Sequence, residues 1–268
     1  MTTVQLTQED LHAGWRMPGP GDDKYSRGVV GIDTGSDRYP GAAVLSTLGA
    51  LRSGAGFVRY CGTARAVDAL LTRCPSITFG AGRVGAWVCG CGWDDTMNAA
   101  RLAARLADGV PCVIDAGAMF CVDDALAVLG WSSLPNGCLL TPHAGELARL
   151  LGCERTDVTA DPLGRALQAS ERFKAAVLLK GARQYSVAVD AAYVAVPGPA
   201  WTAQAGSGDV LAGVAGTLLA AGIDAALAGA LAASLQAATA AKHLGPWAPD
   251  QLADWFPATI SSMDDLQL

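Results

Sequence analysis

The sequence predicts an α/β fold, a mostly parallel central sheet covered by helices on both faces. Three observations carry that expectation. From Gly28 onward, short strand-like runs alternate with helix-like ones. Most of the strand-like runs are apolar without alternating, which is how strands read when both of their faces are buried. The 268 residues are 51% hydrophobic and 16% charged, enough for one large core.

Taken in order, residues 1–22 read as an N-terminal arm that carries Pro18-Gly19-Pro20-Gly21 and runs into Asp22-Asp23. Its first ten residues are polar and lack the basic-then-apolar order of a signal peptide. Residues 23–258 read as a single domain. Val29-Val30-Gly31-Ile32 is its first strand, followed by a small-residue, Leu-punctuated helix from Ala42 to Ser53. Phe57-Val58-Arg59-Tyr60 and Ala86-Trp87-Val88-Cys89 are strands, since short runs rich in aromatic and β-branched residues suit a strand better than a helix. A helix follows from Thr96 to Ala107, then strands at Cys112-Val113-Ile114 and Cys138-Leu139-Leu140, then a helix from about Ala144 to Leu151. Ala176 to Leu179 is a further strand, with Ser186–Val189 and Tyr193–Val196 behind it as a hairpin. Two long Ala-rich helices close the core, and residues 259–268 read as a tail.

Composition excludes some function classes. A formal net charge of −6 with no basic stripe argues against a nucleic-acid footprint, although local amides can still hold a phosphate. The Ala- and Gly-rich runs near 210–223 and 225–241 fall short of the ~20 strongly apolar residues of a membrane span. Eight cysteines show no CxxC pairing, and the three histidines lie far apart, so no metal site is read from spacing. Buried, reduced thiols and a reducing cytoplasmic compartment are expected.

In a parallel sheet, ligands bind beyond the carboxyl ends of the strands. The residues there are Asp33-Thr34-Gly35-Ser36, Gly90-Cys91-Gly92, Asp115, Thr141-Pro142-His143, Lys180-Gly181 and Gly206-Ser207-Gly208-Asp209. The last is the most informative, because a glycine-broken loop runs straight into an apolar helix with one carboxylate at the junction. Bare amides and a helix N-terminus attract an anion, so an acid there reads as a base or metal contact. The plain alternative is a tight turn with an Asp cap. Thr141-Pro142 suits a helix start, with Thr as N-cap, and it sets His143 and Glu146 on one face of the first turn. A surface pair explains them equally well. Lys180 ends an apolar strand, where its ammonium either meets a phosphate or carboxylate or snorkels to water. Asp115 shares that ambiguity. Walker A and strand-following GxGxxG patterns are absent.

As an ordered set these segments resemble the ADP/ATP-dependent NAD(P)H-hydrate dehydratases of the ribokinase-like superfamily, from about Lys24 to Pro257. The likeness includes Tyr39-Pro40-Gly41-Ala42-Ala43, Asp115-Ala116-Gly117-Ala118, Thr141–Glu146, Leu179-Lys180-Gly181 and Gly206–Gly213. Two segments depart from it. Gly90-Cys91-Gly92-Trp93-Asp94 stands where the family usually has Gly-Pro-Gly-Leu-Gly, and Asp33-Thr34-Gly35-Ser36 where it has Gly-Gly-Ser.

The resemblance implies a ribokinase-like three-layer sandwich that repairs hydrated NADH or NADPH with ADP or ATP as phosphoryl donor. It implies Asp209 as the base, with the amides of Gly206, Ser207 and Gly208 holding the transferred phosphoryl group. Ala42, Ala43, Gly92 and His143 would line the hydrate pocket together with Asp209. Lys180, Gly181, Ala182, Arg183, Gln184 and Gly208 would border the nucleotide, and Glu146 would hold Mg²⁺ through water. It further implies a homotetramer that works with a separate NAD(P)H-hydrate epimerase, for which this chain has no room. The competing readings are a ribokinase-like kinase of a vitamin-type alcohol and a non-catalytic nucleotide sensor.

Overall fold

Short runs of Val, Ile, Leu and Cys, too brief for helices and apolar on both faces, form the middle of one twisted sheet. The computed structural model describes residues 2–94 and 98–264. Along the chain its strands are β1 (Val4–Gln5), β2 (Val29–Asp33), β3 (Phe57–Tyr60), β4 (Thr78–Phe79) and β5 (Ala86–Cys89). They continue as β6 (Cys112–Ile114), β7 (Leu139–Leu140), β8 (Ala176–Leu179), β9 (Tyr185–Val187) and β10 (Ala192–Val194). The spatial order is β1-β10-β9-β8-β7-β6-β5-β2-β3-β4. Every pairing from β8 through β4 is parallel, and β9 is antiparallel to both of its neighbours.

The helices are α1 (Gln8–Gly14), α2 (Gly41–Arg52), α3 (Val67–Arg73), α4 (Ala99–Leu106), α5 (Val122–Leu129) and α6 (Ala144–Leu151). They continue as α7 (Arg155–Ala160), α8 (Pro162–Phe173), α9 (Ser207–Ala220), α10 (Ala225–Lys242), α11 (Pro249–Ala253) and α12 (Phe256–Asp264). Successive strand residues point to opposite faces and so feed two cores. Val30, Ile32, Val88 and Leu178 share one core with residues of α2, α9 and α10. Trp87, Ile114, Leu140 and Val177 share the other with residues of α4, α5, α6 and α8. This is the expected three-layer sandwich.

Two glycines fix where α9 begins. A Cβ on Gly213 would lie 2.0 Å from the Ser46 carbonyl oxygen, and one on Gly49 would lie 2.1 Å from that of Val210. Helices α2 and α9 therefore touch backbone to backbone, a contact only glycine permits. Thr217 Oγ1 donates to the Ala50 carbonyl at 3.1 Å, which ties the same pair one turn further on.

The two ends of the chain differ from the sequence reading. Residues 1–22 are not a detached arm, because β1 pairs in parallel with β10 and α1 buries Leu11 completely. A two-residue strand is too short to show a period, so pattern alone misses it. Residues 259–264 are likewise no tail. They belong to α12, where Thr259 is buried and its hydroxyl lies 3.0 Å from that of Thr239. Residues 265–268 lie outside the described residues, as does Thr96, the predicted start of the helix observed as α4. The hairpin forms with shorter strands than predicted. No helix among the described residues is long and apolar enough to cross a membrane.

Candidate active site

The carboxyl ends of β5, β6 and β8 deliver Cys91, Asp115 and Lys180 to one place, and the start of α9 brings Asp209 to meet them. Asp115 is buried and holds the group together. Its Oδ1 accepts from Thr141 Oγ1 at 2.6 Å and from Lys180 Nζ at 2.8 Å, while its Oδ2 accepts from Cys91 Sγ at 3.3 Å. The Cys91 sulfur and the nearest carboxylate oxygens of Asp115 and Asp209 all lie within 4.8 Å of one another. Lys180 thus does meet a carboxylate, and it does not simply snorkel. Thr141 is not the N-cap of α6. That position belongs to His143, because the Thr141 hydroxyl is already committed to Asp115.

The electrostatics follow from this crowding. Burial, reinforced by the negative charge of Asp115, raises the pKa of Asp209 from 3.8 to about 7, against the opposing pull of Lys180 and of the Cys91 hydrogen bond. Burial also opposes the charge on Lys180, but Asp115 and then Glu146 outweigh it, and the ammonium ends above its ordinary range. Burial, with both carboxylates adding to it, pushes the Cys91 thiol well up, so that it remains a neutral donor.

The helix start beside these groups is built to receive an anion. Gly206 precedes α9 with φ +90°, a left-handed conformation that glycine adopts without strain, and no side chain caps the helix. The amide of Ser207 is spent on the Gln204 carbonyl at 3.2 Å, contrary to the expectation that it faces the phosphoryl group. The amides of Gly208 and Asp209 have no partner among the described residues, as the first turn of an uncapped helix leaves them. Gln236 Nε2 donates to the Ser207 carbonyl at 3.0 Å and holds the loop against α10. A Cβ on Gly208 would sit 3.2 Å from Lys180 Nζ, so the bare glycine keeps the space between the open amides and the ammonium clear.

A cleft of about 790 Å³ opens over this group. It is lined by Asp115, His143, Glu146, Lys180–Gln184 and Gly206–Asp209, so it gathers most of the residues singled out in the sequence. It also takes in Gln5 and Gln236, which sequence reasoning missed. Gln5 comes from the unpredicted strand β1 and gives no signal of its own. Gln236 is a buried amide in an Ala-rich helix, and that could have marked it.

Three predicted residues lie elsewhere. Ala42, Ala43 and Gly92 do not line this cleft. They cluster where β2 and β5 diverge, with a Cβ on Gly92 falling 2.6 Å from the Ala42 methyl. This is the point at which the strand order reverses, a usual place for a ligand in such sheets. It adjoins the acids through Cys91, whose carbonyl accepts from the Gly35 amide at 2.7 Å. Just beyond it, fully buried Asp33 is clamped by Arg101 and Arg105, which lie over the rings of Trp93 and Trp87.

His143 and Glu146 form a capping box. Nδ1 of His143 accepts from the amides of Gly145 at 3.0 Å and Glu146 at 3.2 Å, and Glu146 Oε2 accepts from the His143 amide at 2.8 Å. The plain structural reading of this pair therefore holds for those atoms. The second oxygen of Glu146 has no hydrogen-bond partner among the described residues, and the side chain borders the cleft. An all-oxygen carboxylate with a free lone-pair face beside an open anion site fits Mg²⁺ held through water.

Sheet order, the glycine-opened helix start and the acid beside it together describe an α/β protein with an anion site at the carboxyl ends of its strands. The comparisons with known proteins are more specific. The family model described as NAD(P)H-hydrate dehydratase matches residues 30–253, and the chain belongs to that family. It is 41% identical over 214 residues to the bifunctional NAD(P)H-hydrate repair enzyme Nnr of Mycobacterium tuberculosis, covering 76% of this chain but 43% of that protein. The chain thus spans less than half the length of that relative. It is 34% identical over 221 residues to the ADP-dependent (S)-NAD(P)H-hydrate dehydratase of Xanthomonas campestris, covering 74% of each. The crystal structure of the ADP/ATP-dependent NAD(P)H-hydrate dehydratase from Bacillus subtilis, co-crystallized with ATP/Mg²⁺, superposes with a TM-score of 0.85. That match has 22% identity and covers 98% of this chain and 99% of the other.

Proposed function

We propose that the chain uses ADP to dehydrate the (S)-epimer of NADH or NADPH hydrate, restoring the reduced cofactor with release of AMP and phosphate. The observation that carries this reading is Asp209. Burial and Asp115 push its pKa up to about 7, and it stands at an open helix N-terminus, lining a cleft of about 790 Å³. A base with a pKa near the working pH removes a proton best.

Hydroxide is a poor leaving group, so the ring hydroxyl first attacks the terminal phosphoryl group of ADP. Asp209 takes the hydroxyl proton as the new O–P bond forms and the bond to AMP breaks. Phosphate then leaves as the ring C–O bond breaks and the adjacent ring carbon gives up a proton, so that the ring double bond is restored. The amides of Gly208 and Asp209, together with Lys180, hold the charge that spreads over the phosphoryl oxygens, the kind of fixed stabilisation that such transfers depend on. Lys180 to Gln184 border the nucleotide. Gly92 and Ala42 would form the wall on the hydrate side, with fully buried Ala43 backing it and His143 at the cleft mouth. Glu146 would hold Mg²⁺ through water, where the ion neutralises charge on the donor phosphates. A cytoplasmic homotetramer supplied by a separate epimerase belongs to the same proposal, and size-exclusion chromatography tests the assembly.

The test is recovery of reduced-nicotinamide absorbance from the hydrate plus ADP, with AMP and phosphate formed in equal amounts. Accumulation of a phosphorylated alcohol would point to a kinase instead. Asp209→Asn is expected to abolish turnover while ADP binding persists, and near-wild-type turnover would remove Asp209 from the role of base.

A further inference from the structure

Cys91 is the chemically odd member of the central group. It is fully buried, and carboxylate oxygens of two aspartates, Asp115 and Asp209, lie within 4.8 Å of its sulfur. Its thiol donates to Asp115 Oδ2 at 3.3 Å, and a carboxylate oxygen of Asp209 lies within 4.8 Å of the same sulfur. Asp115 in turn is fixed through its other oxygen by Lys180 and Thr141.

We infer that Cys91 is a positioning residue for Asp209, its thiol serving as a shared hydrogen-bond donor between the base and the fixed negative charge of Asp115. The inference rests on Asp209 being the base of the proposed reaction. In the resting site the ionised form of Asp209 faces Asp115, a like charge a few ångströms away in a water-poor setting. A thiol that turns its proton toward Asp209 stabilises that ionised form. When Asp209 takes the proton of the substrate hydroxyl, the thiol is released to Asp115. No bond to sulfur is made or broken and no oxidant is required, because the proton on sulfur changes only its acceptor.

The groups that face Asp209 act with different signs. Asp115 from the end of β6 is negative, Lys180 from the end of β8 is positive, and Cys91 from the end of β5 is a neutral donor. Glu146, from the first turn of α6, acts through Lys180. His143 borders the cleft from the same turn with Nδ1 already occupied by two amides. Removing the thiol and removing the Asp115 charge should therefore move the proton affinity of Asp209 in opposite directions. Loss of the donor disfavours ionised Asp209, whereas loss of the neighbouring charge favours it. A thiol that merely fills space predicts no such opposition.

The experiment measures kcat/KM for the ADP-driven dehydration from pH 5 to 9 in wild type, Cys91→Ala, Cys91→Ser and Asp115→Asn. The acid limb is expected to move up by roughly half a pH unit in Cys91→Ala and down by about one unit in Asp115→Asn. In Cys91→Ser, whose hydroxyl can still donate, it should return toward wild type. Carboxyl-¹³C NMR titration of Asp209 in the same folded variants reads the shift without turnover, so a variant too slow to assay still decides the matter. An unmoved Asp209 titration in Cys91→Ala, or a shift in the same direction in Cys91→Ala and Asp115→Asn, overturns the inference. Opposite NMR shifts combined with full activity of Asp209→Asn would uphold the coupling but refute Asp209 as the base, which keeps the two failures apart.

Discussion

Replacing Asp209 with asparagine should stabilise the fold while destroying activity, and the stability gain should depend on pH in a way fixed by one titration. The Asp209 carboxyl rises from 3.8 to about 7 on folding. Between those values the folded chain binds a proton that the unfolded chain has lost, so wild-type stability falls as pH rises across the window. Each unit is worth about 1.36 kcal/mol, which gives an upper bound near 4 kcal/mol above pH 7. Because Asp209 is not fully withdrawn from solvent, about 2–3 kcal/mol is the realistic size. Asparagine mimics the protonated acid in shape and neutrality and does not titrate. Urea unfolding, followed by tryptophan fluorescence at half-unit steps from pH 4.5 to 8, should show Asp209→Asn gaining on wild type steadily until about pH 7 and levelling off beyond. All other acids are common to both proteins and cancel in the difference. An asparagine variant no more stable at pH 8 than wild type, or a gain that does not narrow toward pH 4.5, would refute the raised proton affinity and the crowding that explains it.

Three further outcomes follow from the same contacts. Lys180→Met leaves buried Asp115 without its counter-charge, so it should cost about 3 kcal/mol in thermal or urea unfolding and weaken ADP binding at least tenfold by calorimetry. Gly208→Ala places a methyl group 3.2 Å from Lys180 Nζ without a clash against backbone, so it should fold near wild type yet lower ADP affinity or kcat several-fold. Gly213→Ala, with its Cβ 2.0 Å from the Ser46 carbonyl oxygen, should cost about 2–3 kcal/mol or more, whereas Gly41→Ala, which meets nothing within 4 Å, should be nearly neutral.

The inner sheet was legible because its strands carry a strong local signal. Val29–Ile32, Ala86–Cys89, Cys112–Ile114 and Ala176–Leu179 are apolar runs bounded by turn residues, and each becomes a strand. What escaped were elements whose existence depends on tertiary pairing. Val4–Gln5 is a strand because β10 offers an edge, and α12 holds its place through Thr239 and Phe256. At the site, the sequence located the loop, the lysine and the capping pair, since each follows a strand or opens a helix. It could not show that Lys180 and Asp115, 65 residues apart, form one ion pair, because that needs β6 and β8 to flank β7. The same topology draws Cys91 to the acids, where no spacing rule would look for it.

The position of Asp209 sets two influences against each other, and their balance suits the proposed chemistry. As the third residue of α9 it lies at the positive end of a helix, which favours the carboxylate. Burial and Asp115 favour the protonated acid and prevail up to about pH 7. A phosphate arriving at the amides of Gly208 and Asp209 spends that positive end on the ligand and adds negative charge beside the acid, so the proton affinity of Asp209 must rise as the donor binds. Lys180, shared between Asp115 and the open space beside Gly208, limits the rise. Nucleotide binding and proton abstraction are therefore coupled: the bound donor makes Asp209 a stronger base and, at a given pH, a less populated one. Titrating Asp209 by carboxyl-¹³C NMR with and without ADP measures this directly. An upward shift of about half a unit or more is expected, and a downward shift would mean that the phosphate binds away from the helix start.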